Sequence, residues 1–253
     1  MTVRLLLPAG GRAVRLGGIL KELLPLGLRH SQGSVPVPAL AWSIGTGMAA
    51  GAESAIVVTS ASKAPILMES VFTLVPQLPI SYVYQPRPEG LARALLRAMP
   101  HFRADDIVLM LMPDSIIHPA STVIDAVNAV REGAHVCAVL LRSPTPEQFG
   151  VARFDDHGRL VGFVEKPATA PSPWIWSAVA WRASFFQTIE RYGFGEGTCL
   201  TPVLDVAVQQ QCLETRRCES SGYWDVGTYG GYQAALRALG NLIPPSLGAA
   251  EPL

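Results

Sequence analysis

The residues whose types are best suited to binding or catalysis form a glycine-rich, basic segment near the start of the chain. It reads Pro8-Ala9-Gly10-Gly11 and continues to Arg15 and Lys21. Glycines directly after a strand let backbone amides approach a phosphate chain without interference from Cβ. Arg15 and Lys21 add the positive charge that a triphosphate requires. The segment contains neither a GxxxxGK[ST] P-loop nor a GxGxxG fingerprint, so on its own it fits phosphate binding and a plain tight turn equally well.

The elements that must position these residues alternate between short apolar strands and helices. Predicted strands are Val3–Leu7, Ala55–Thr59, Ile80–Tyr84, Ile107–Met112 and Val136–Leu141. Predicted helices are Pro38–Ala50, Pro65–Leu74, Leu91–Met99 and Ser121–Glu132, with Ser121 as the candidate N-cap. This alternation predicts an α/β fold with a mostly parallel, doubly wound sheet covered by helices on both faces. Ligands of such sheets bind beyond the carboxyl ends of the strands, which points to Pro8–Lys21, Gln85–Ala92 and Pro113–Ser115.

The second half of the chain has a different pattern and predicts an added β-rich portion. Strands Val151–Phe154 and Leu160–Val164 flank a polar hairpin loop, and Trp174–Trp181 is a further β-like run. Predicted helices follow at Ala183–Tyr192, Leu200–Gln211 and Thr228–Leu239. No linker interrupts the chain, so we expect a single domain over residues 1–240 and a flexible tail over 241–253.

Four segments, spread along nearly the whole chain, form an ordered series. They are Ala9–Pro25, Tyr84–Ala92, Phe149–Val151 with Glu165–Pro167, and Trp224–Thr228. In order and approximate spacing they resemble the signature elements of sugar-phosphate nucleotidyltransferases, and glucose-1-phosphate thymidylyltransferase is the subfamily that they resemble most. The resemblance implies a Rossmann-like, GT-A-like domain whose nucleotide-binding part covers about 1–142 and whose sugar-phosphate-binding part covers about 143–240.

The resemblance also implies a role for each matching residue. The implied nucleotide-binding residues, with Gln85 reading the pyrimidine edge, are Ala9, Gly10, Gly11, Gln85, Pro88 and Gly90. The implied catalytic residues are Arg15, Lys21, Lys166 and Asp114. The implied sugar-phosphate-binding residues are Gly150, Glu165, Lys166 and Ser177. The implied ligands of Mg²⁺, the expected cofactor, are Asp114 and Asp225.

The chemistry implied by these roles has a simple physical logic. A phosphate dianion must attack a polyanionic triphosphate, so charge repulsion is the main obstacle. Two carboxylates holding Mg²⁺ and a lysine beside the nucleophile would offset that repulsion. No general base is required, because a sugar phosphate is already ionised near pH 7. The expected reaction joins a nucleoside triphosphate, dTTP or UTP, to a sugar 1-phosphate and releases pyrophosphate by in-line attack.

Several positions depart from the family pattern or have a purely structural interpretation. Pro113 stands where the family has Gly, and Ser177-Ala178 replaces a Thr-Gly pair, so we expect the extra methyl to narrow the sugar pocket. Asp114 is also compatible with a helix cap and Asp225 with a turn before Gly227. The short sequence after Asp225 predicts that the regulatory nucleotide site of the long thymidylyltransferases is absent.

Composition excludes several other classes of function. Twenty basic and twenty acidic residues give a formal net charge of zero, whereas proteins that grip a nucleic-acid backbone carry a basic excess. No apolar run approaches the roughly 20 residues needed to cross a bilayer. The four cysteines show no metal-ligand spacing. We therefore expect a cytoplasmic enzyme of small-molecule substrates, with no nucleic-acid or membrane partner, and a homodimer is compatible with the family.

Three alternatives remain open at this level. A cytidylyltransferase acting on a sugar phosphate or on a phosphocholine-like substrate shares the same loop. A catalytically silent homologue would serve as a regulatory subunit, although it has no physical need for the charged set. A glycosyltransferase with an Asp-x-Asp clamp is disfavoured, because Asp114-Ser115-Ile116 lacks the second carboxylate.

Overall fold

The computed structural model of the chain describes residues 1–11, 16–30, 34–192, 199–219, 222–239, 242 and 244–246. The strands are β1 Val3–Pro8, β2 Pro25–His30, β3 Ser34–Pro38, β4 Ala52–Thr59, β5 Ile80–Tyr84, β6 Ile107–Leu111, β7 Ser115–His118, β8 Val136–Arg142, β9 Gly150–Phe154, β10 Leu160–Glu165, β11 Trp174–Arg182, β12 Leu213–Cys218 and β13 Gly222–Asp225. The α-helices are α1 Ala39–Ala49, α2 Ala64–Leu74, α3 Leu91–Ala98, α4 Ser121–Glu132, α5 Phe186–Arg191, α6 Thr201–Gln209 and α7 Tyr229–Leu239. Short 3-10 helices lie at Lys21–Leu23, Met99–His101, Pro146–Gln148 and Ala183–Phe185.

The main sheet contains nine of the described strands and combines a parallel half with an antiparallel half. Strands β5, β4, β1 and β6 are adjacent and parallel. The long strand β11 then pairs antiparallel with β6 and β9 along one edge and with β8 along the other. Strand β12 adds to β8 in parallel, and β10 forms a hairpin with β9. The predicted single-domain α/β fold with an added β-rich portion is confirmed.

Alternating side chains of the strands supply two apolar cores, one on each face of the sheet. Leu5 and Leu7 of β1 pack in one core with buried residues of α1, α2, α4 and α7, whereas Leu6 packs in the other with α3, α5 and α6. All three leucines have no exposed surface. Successive residues of a strand point to opposite faces, so a continuous apolar strand is the pattern that a sheet covered on both faces requires.

The structure contains five strands that the sequence pattern did not predict, namely β2, β3, β7, β12 and β13. Strands β7 and β13 are four residues long and form a separate antiparallel pair. Strand β12, Leu-Glu-Thr-Arg-Arg-Cys, is polar because it lies at the edge of the sheet beside β8. The N-cap assignment of Ser121 was wrong: Ser121 is the first residue of α4, and Ala120 precedes it without a side-chain cap.

Part of the segment predicted as a tail packs against the domain. A Cβ added at Gly45 of α1 would collide with the backbone carbonyl of Pro245, so the chain passes directly over this glycine. Residues 247–253 lie outside the described part of the chain. None of the helices in the described ranges is both long and apolar enough to cross a membrane.

Candidate active site

Three adjoining cavities open at the carboxyl ends of the parallel strands. The outer cavity, about 870 Å³, is lined by Gly10, Gly11, Ser60, Lys63 and Gln85 among others. The glycine cavity, about 420 Å³, is lined by Gly10, Gly11, Lys21, Gln85, Pro88 and Gly90 among others. The acidic cavity, about 660 Å³, is lined by Lys21, Asp114, Gly150, Glu165, Lys166, Ser177 and Asp225 among others. The loops beyond the carboxyl ends of the strands, where ligand binding was predicted, therefore meet in one region.

The pairing of β7 with β13 brings Asp114 and Asp225 together. Asp225 is the register partner of Ser115, and the Val226 amide donates to the Asp114 carbonyl at 2.9 Å. Asp114 is followed by a strand, so its interpretation as a helix cap was wrong. The Asp225 carboxylate accepts a hydrogen bond from the Gly227 amide at 2.9 Å, so the turn interpretation holds for one of its oxygens. Residues more than one hundred positions apart thus share one cavity.

Lys21 forms an ion pair with Asp114 at the wall between the glycine and acidic cavities. Its ammonium group lies 2.5 Å from Asp114 Oδ2. Burial disfavours the charged amine, but attraction to Asp114, their hydrogen bond and the nearby carboxylates of Glu22 and Asp225 outweigh it and raise the pKa of Lys21 above its ordinary value. Lys21 is therefore a fixed positive charge facing both cavities.

A chain of hydrogen bonds fixes Glu165 on the far side of the acidic cavity. Trp176 Nε1 donates to Thr201 Oγ1 at 2.9 Å, and Thr201 Oγ1 donates to Glu165 Oε2 at 2.5 Å. Gly150 packs so closely that a Cβ there would collide with both Trp176 and Thr201. Glycine at this position is thus required by the close approach of the indole and the hydroxyl.

Lys166 and Ser177 reach the acidic cavity through irregular backbone. Lys166 has φ of 41°, a left-handed conformation that is uncommon for residues other than glycine. Its side chain is 65% exposed, and its ammonium lies 3.7 Å from Glu165 Oε1. Ser177, which is buried, is the extra residue of a bulge between β11 and β8; bulges redirect a side chain. Ala178 is buried in the core and is absent from the described lining of the cavity, so the expectation that its methyl narrows the pocket was wrong.

Gln85 lies at the bottom of the glycine and outer cavities. It is 4% exposed, and its Nε2 donates to the Gly90 carbonyl at 3.3 Å. A Cβ at Gly10 would lie 2.6 Å from Gln85 Oε1, so only a glycine leaves room for this amide. Gly90 itself has φ of 96° just before α3 begins. The two glycines therefore accommodate Gln85 and the turn that holds it.

Some residues near the site were not selected from the sequence, and one that was selected lies outside the described part of the chain. That one is Arg15. Lys63, which lines the outer cavity, follows strand β4, so the expectation that ligands bind beyond strand ends would have found it had it been applied to that strand. Tyr223 lies beside the acidic pair, and burial together with the charges of Asp225 and Asp114 raises its pKa, so the phenol stays protonated. Thr201 and Trp176 lie outside the four segments that resemble the family signature, so no motif pointed to them.

The two carboxylates suit a divalent cation that also binds phosphate. Among the described residues no group of three or more His, Cys, Asp or Glu side chains is arranged to hold a metal alone. Mg²⁺, however, is typically held by one or two carboxylates together with substrate phosphates and waters. Asp114 and Asp225 line the same cavity, so the donor set fits this mode.

Comparison with known proteins identifies the family. A family model described as nucleotidyl transferase matches residues 5–241. The chain belongs to the nucleotidyl transferase family. The predicted resemblance to sugar-phosphate nucleotidyltransferases is thereby confirmed, since relatives of this nucleotidyl transferase carry the name glucose-1-phosphate thymidylyltransferase.

Two relatives match this nucleotidyl transferase over only part of their own length. The glucose-1-phosphate thymidylyltransferase of Neisseria meningitidis is 31% identical over 177 residues, which cover 66% of the chain and 56% of that protein. The Streptomyces griseus enzyme of the same name is 34% identical over 91 residues, covering 36% of the chain and 25% of that protein. The matched regions thus span about half or less of these relatives.

Solved structures share the fold over nearly the whole chain. A Bacillus anthracis structure assigned as a glucose-1-phosphate thymidylyltransferase, in complex with sucrose, has a TM-score of 0.83 and 18% identity and covers 97% of this chain and 98% of its own. A UDP-glucose pyrophosphorylase complexed with UDP-glucose has a TM-score of 0.76 and 19% identity, with 94% and 98% covered. At these identities the likeness concerns the fold of the nucleotidyl transferase.

Proposed function

We propose that this chain transfers a nucleotidyl group from a nucleoside triphosphate to a sugar 1-phosphate. A phosphate oxygen of the sugar 1-phosphate forms a bond to the α-phosphorus, the bond from that phosphorus to the bridging oxygen breaks, and pyrophosphate leaves. The products are a nucleoside diphosphate sugar and pyrophosphate. A cytoplasmic location and a homodimer remain predictions of the sequence.

The observation that carries the proposal is the Lys21–Asp114 pair at the junction of two cavities. The glycine cavity contains the motif residues proposed to bind the nucleotide, and the acidic cavity contains those proposed for the sugar phosphate. Lys21, Leu91 and Met112 line both cavities. A triphosphate in one cavity and a phosphate monoester in the other would meet at this wall, which is the arrangement that a transfer between them requires.

Basic side chains of this chain are proposed to offset the repulsion between the two phosphates. Lys21, kept charged by its acidic surroundings, would release Asp114 and bind the α-phosphate. Lys166, whose side chain is largely exposed, would hold the phosphate of the incoming sugar 1-phosphate. The family resemblance gives Arg15 the proposed role of favouring the departing pyrophosphate. Catalysis is then positioning plus electrostatic stabilisation.

Asp114 and Asp225 are the residues proposed to hold Mg²⁺. When bound, the ion supplies charge neutralisation and polarisation at the α-phosphate. The carboxylate of Asp114 has two candidate partners, Lys21 and the cation. The binding of substrate is therefore expected to redistribute the contacts around this residue.

Gln85 is proposed to select uracil and thymine over cytosine. Its Nε2 donates to the Gly90 carbonyl, which leaves Oε1, beside the cavity-lining Gly10, as the proposed acceptor for the base. Uracil and thymine carry a hydrogen at N3 that this oxygen can accept, whereas cytosine carries a lone pair there. The names of the relatives point in the same direction, so dTTP and UTP are the first nucleotides to test.

Glucose 1-phosphate is the first acceptor to test. It is named in the Neisseria and Streptomyces relatives, and UDP-glucose occupies one of the fold neighbours. Glu165, fixed through Thr201 and Trp176, is the proposed acceptor of sugar hydroxyl hydrogens. Ser177 is the proposed second polar contact from the bulge of β11.

The deciding experiment measures pyrophosphate release by purified protein with Mg²⁺. Each of dTTP, UTP, CTP, ATP and GTP is paired with glucose, galactose, mannose and N-acetylglucosamine 1-phosphates and with phosphocholine. The proposal expects release with dTTP or UTP and a sugar 1-phosphate. Release with CTP alone would overturn the Gln85 argument, and release with no pair would leave a catalytically silent homologue.

A further inference from the structure

A buried ion pair lies behind the glycine segment, outside the set of residues assigned above. Lys63 Nζ is 2.9 Å from Glu22 Oε1, and the two residues are 6% and 0% exposed. The same ammonium donates to the Ala9 carbonyl at 3.2 Å. One side chain at the start of α2 therefore contacts both the glycine segment and the 3-10 helix Lys21–Leu23.

We infer that the Glu22–Lys63 pair is a positioning device for the nucleoside triphosphate, an inference that rests on the proposed function. Two consequences of its geometry support this role, one for the direction of a backbone amide and one for the charge around Lys21. Neither residue needs to contact the nucleotide.

The first consequence concerns the peptide that joins Ala9 to Gly10. The preceding peptide, which joins Pro8 to Ala9, is held as well, since the Ala9 amide donates to the Val58 carbonyl at 2.7 Å. In a planar trans peptide the carbonyl and the amide point in opposite directions. The bond from Lys63 to the Ala9 oxygen therefore fixes the direction of the Gly10 amide, which belongs to a residue lining the glycine and outer cavities.

The second consequence is electrostatic. Glu22 is the neighbour of Lys21 in sequence, and its side chain is fully buried. A buried carboxylate this close to the glycine segment would also repel a triphosphate. Lys63 balances that charge, and the pair as a whole leaves Lys21 as the uncompensated cation once Asp114 releases it.

The cost of the pair argues that it has a function beyond holding the fold. Glu22 Oε2 is buried without a hydrogen-bond partner among the described residues, and apolar residues often replace buried ion pairs without loss of stability. A buried polar atom without a hydrogen-bond partner calls for an explanation, and a role at the neighbouring site is one such explanation. A purely structural contact would be replaceable by two neutral side chains.

The test compares wild-type protein with Lys63→Met, Glu22→Gln and the double variant. Each single variant leaves a buried charge without its partner and is expected to lower the thermal midpoint. The double variant removes both charges and is expected to recover much of that midpoint. The inference predicts that the double variant nonetheless binds the triphosphate about tenfold more weakly by calorimetry and has a correspondingly raised KM for the triphosphate, with an unchanged KM for the sugar 1-phosphate.

The matched control is a second ion pair at the opposite end of β1, in which the carboxylate is buried and the guanidinium is 25% exposed. Arg4 Nε lies 2.9 Å from Asp106 Oδ2, and Asp106 is 2% exposed. Arg4→Met with Asp106→Asn should leave triphosphate affinity unchanged. Wild-type affinity in the Glu22/Lys63 double variant, or an equal loss in the control, would overturn the inference alone. Wild-type protein that binds no triphosphate and releases no pyrophosphate would overturn the proposed function, and the inference with it.

Discussion

Lys21 and Asp114 bond to each other across the wall between the glycine and acidic cavities. Their charges are the two that the proposed reaction must use separately, the ammonium for phosphate and the carboxylate for the metal ion. The pair is mostly buried, with side chains 17% and 6% exposed. Each group therefore satisfies the other, and neither is left as an unpaired buried charge.

Replacing the acidic pair by amides should separate catalysis from folding. Asp114→Asn and Asp225→Asn should each lower turnover by roughly a hundred- to a thousand-fold, since each removes a charged group that acts on the transition state. Asp225→Asn can keep the bond from the Gly227 amide and should lower the thermal midpoint less than Asp114→Asn does, because Asp225 attracts Lys21 more weakly than Asp114 does. Asp114→Asn weakens the contact with buried Lys21 and should cost about 1–3 kcal/mol of stability. Steady-state kinetics and thermal unfolding measure the two effects, and wild-type turnover in both variants would refute the metal assignment.

The chain of hydrogen bonds from Trp176 through Thr201 to Glu165 predicts that breaking it weakens the binding of the sugar 1-phosphate and leaves the binding of the triphosphate unchanged. Thr201→Val removes the hydroxyl that donates to Glu165, and Trp176→Phe removes the donor to that hydroxyl. Losing one such bond is worth about 1 kcal/mol, so the KM for the sugar 1-phosphate should rise about fivefold while the KM for the triphosphate stays constant.

The control for removing a threonine hydroxyl is Thr73→Val. The Thr73 hydroxyl donates to the Glu69 carbonyl within α2, on the exposed surface. Its removal should change neither KM. If Thr201→Val raised the two KM values equally, Glu165 would not belong to the sugar subsite.

Local signals in the sequence were sufficient for the parallel half of the fold. Runs such as Leu5–Leu7 and Ile107–Leu111 are apolar on both faces because both faces are covered. The expectation that ligands bind beyond the carboxyl ends of the strands then located the glycine segment, Gln85 and Asp114. The pairing of β7 with β13 was not accessible in this way. Each strand is four residues long, and its partner is about a hundred residues away, so neither periodicity nor spacing identifies the contact.

A methyl group at Gly10 should act through Gln85. The Cβ of Gly10→Ala would lie 2.6 Å from Gln85 Oε1, and the flexible end of the glutamine can move aside. Stability should therefore fall by less than about 1 kcal/mol, whereas the KM for dTTP or UTP should rise about tenfold because the amide no longer meets the base. Gly230→Ala in α7, where the added Cβ meets nothing within 4 Å, is the control and should keep wild-type kinetics. An unchanged KM in Gly10→Ala would remove Gln85 from the base site.

The buried thiol of Cys137 should make the protein less stable in alkali. Burial raises the pKa of Cys137 from 9.0 to about 12, so the folded chain keeps a proton that the unfolded chain loses above about pH 9. Stability from this group is present below pH 9 and is lost as the pH rises towards 12, at up to about 1.4 kcal/mol per pH unit. Urea unfolding between pH 8 and 11 should show a shallower decline for Cys137→Ala than for wild type, and identical slopes would contradict the assignment.

The Glu22–Lys63 pair and the close packing at Gly150 show where sequence reasoning stopped. Glu22 lies within the segment that resembles the family signature. From the sequence, a charged residue beside Lys21 is expected to be solvated, and its partner Lys63 lies 41 positions away. Gly150 was selected through the family motif, yet the reason for its lack of a Cβ is Trp176 and Thr201. Both features depend on side chains that meet only in the folded chain.

The late position of β13 in the chain means that the proposed metal site is completed only near the end of synthesis. Chains emerge from the ribosome with the amino-terminal part first, so the glycine segment, Lys21 and Asp114 are present long before Gly222–Asp225. A nascent or truncated polypeptide that ends before this strand has the proposed phosphate cradle but only half of the proposed metal site. Under the proposed mechanism, a copy that ends before β13 is therefore expected to release no pyrophosphate.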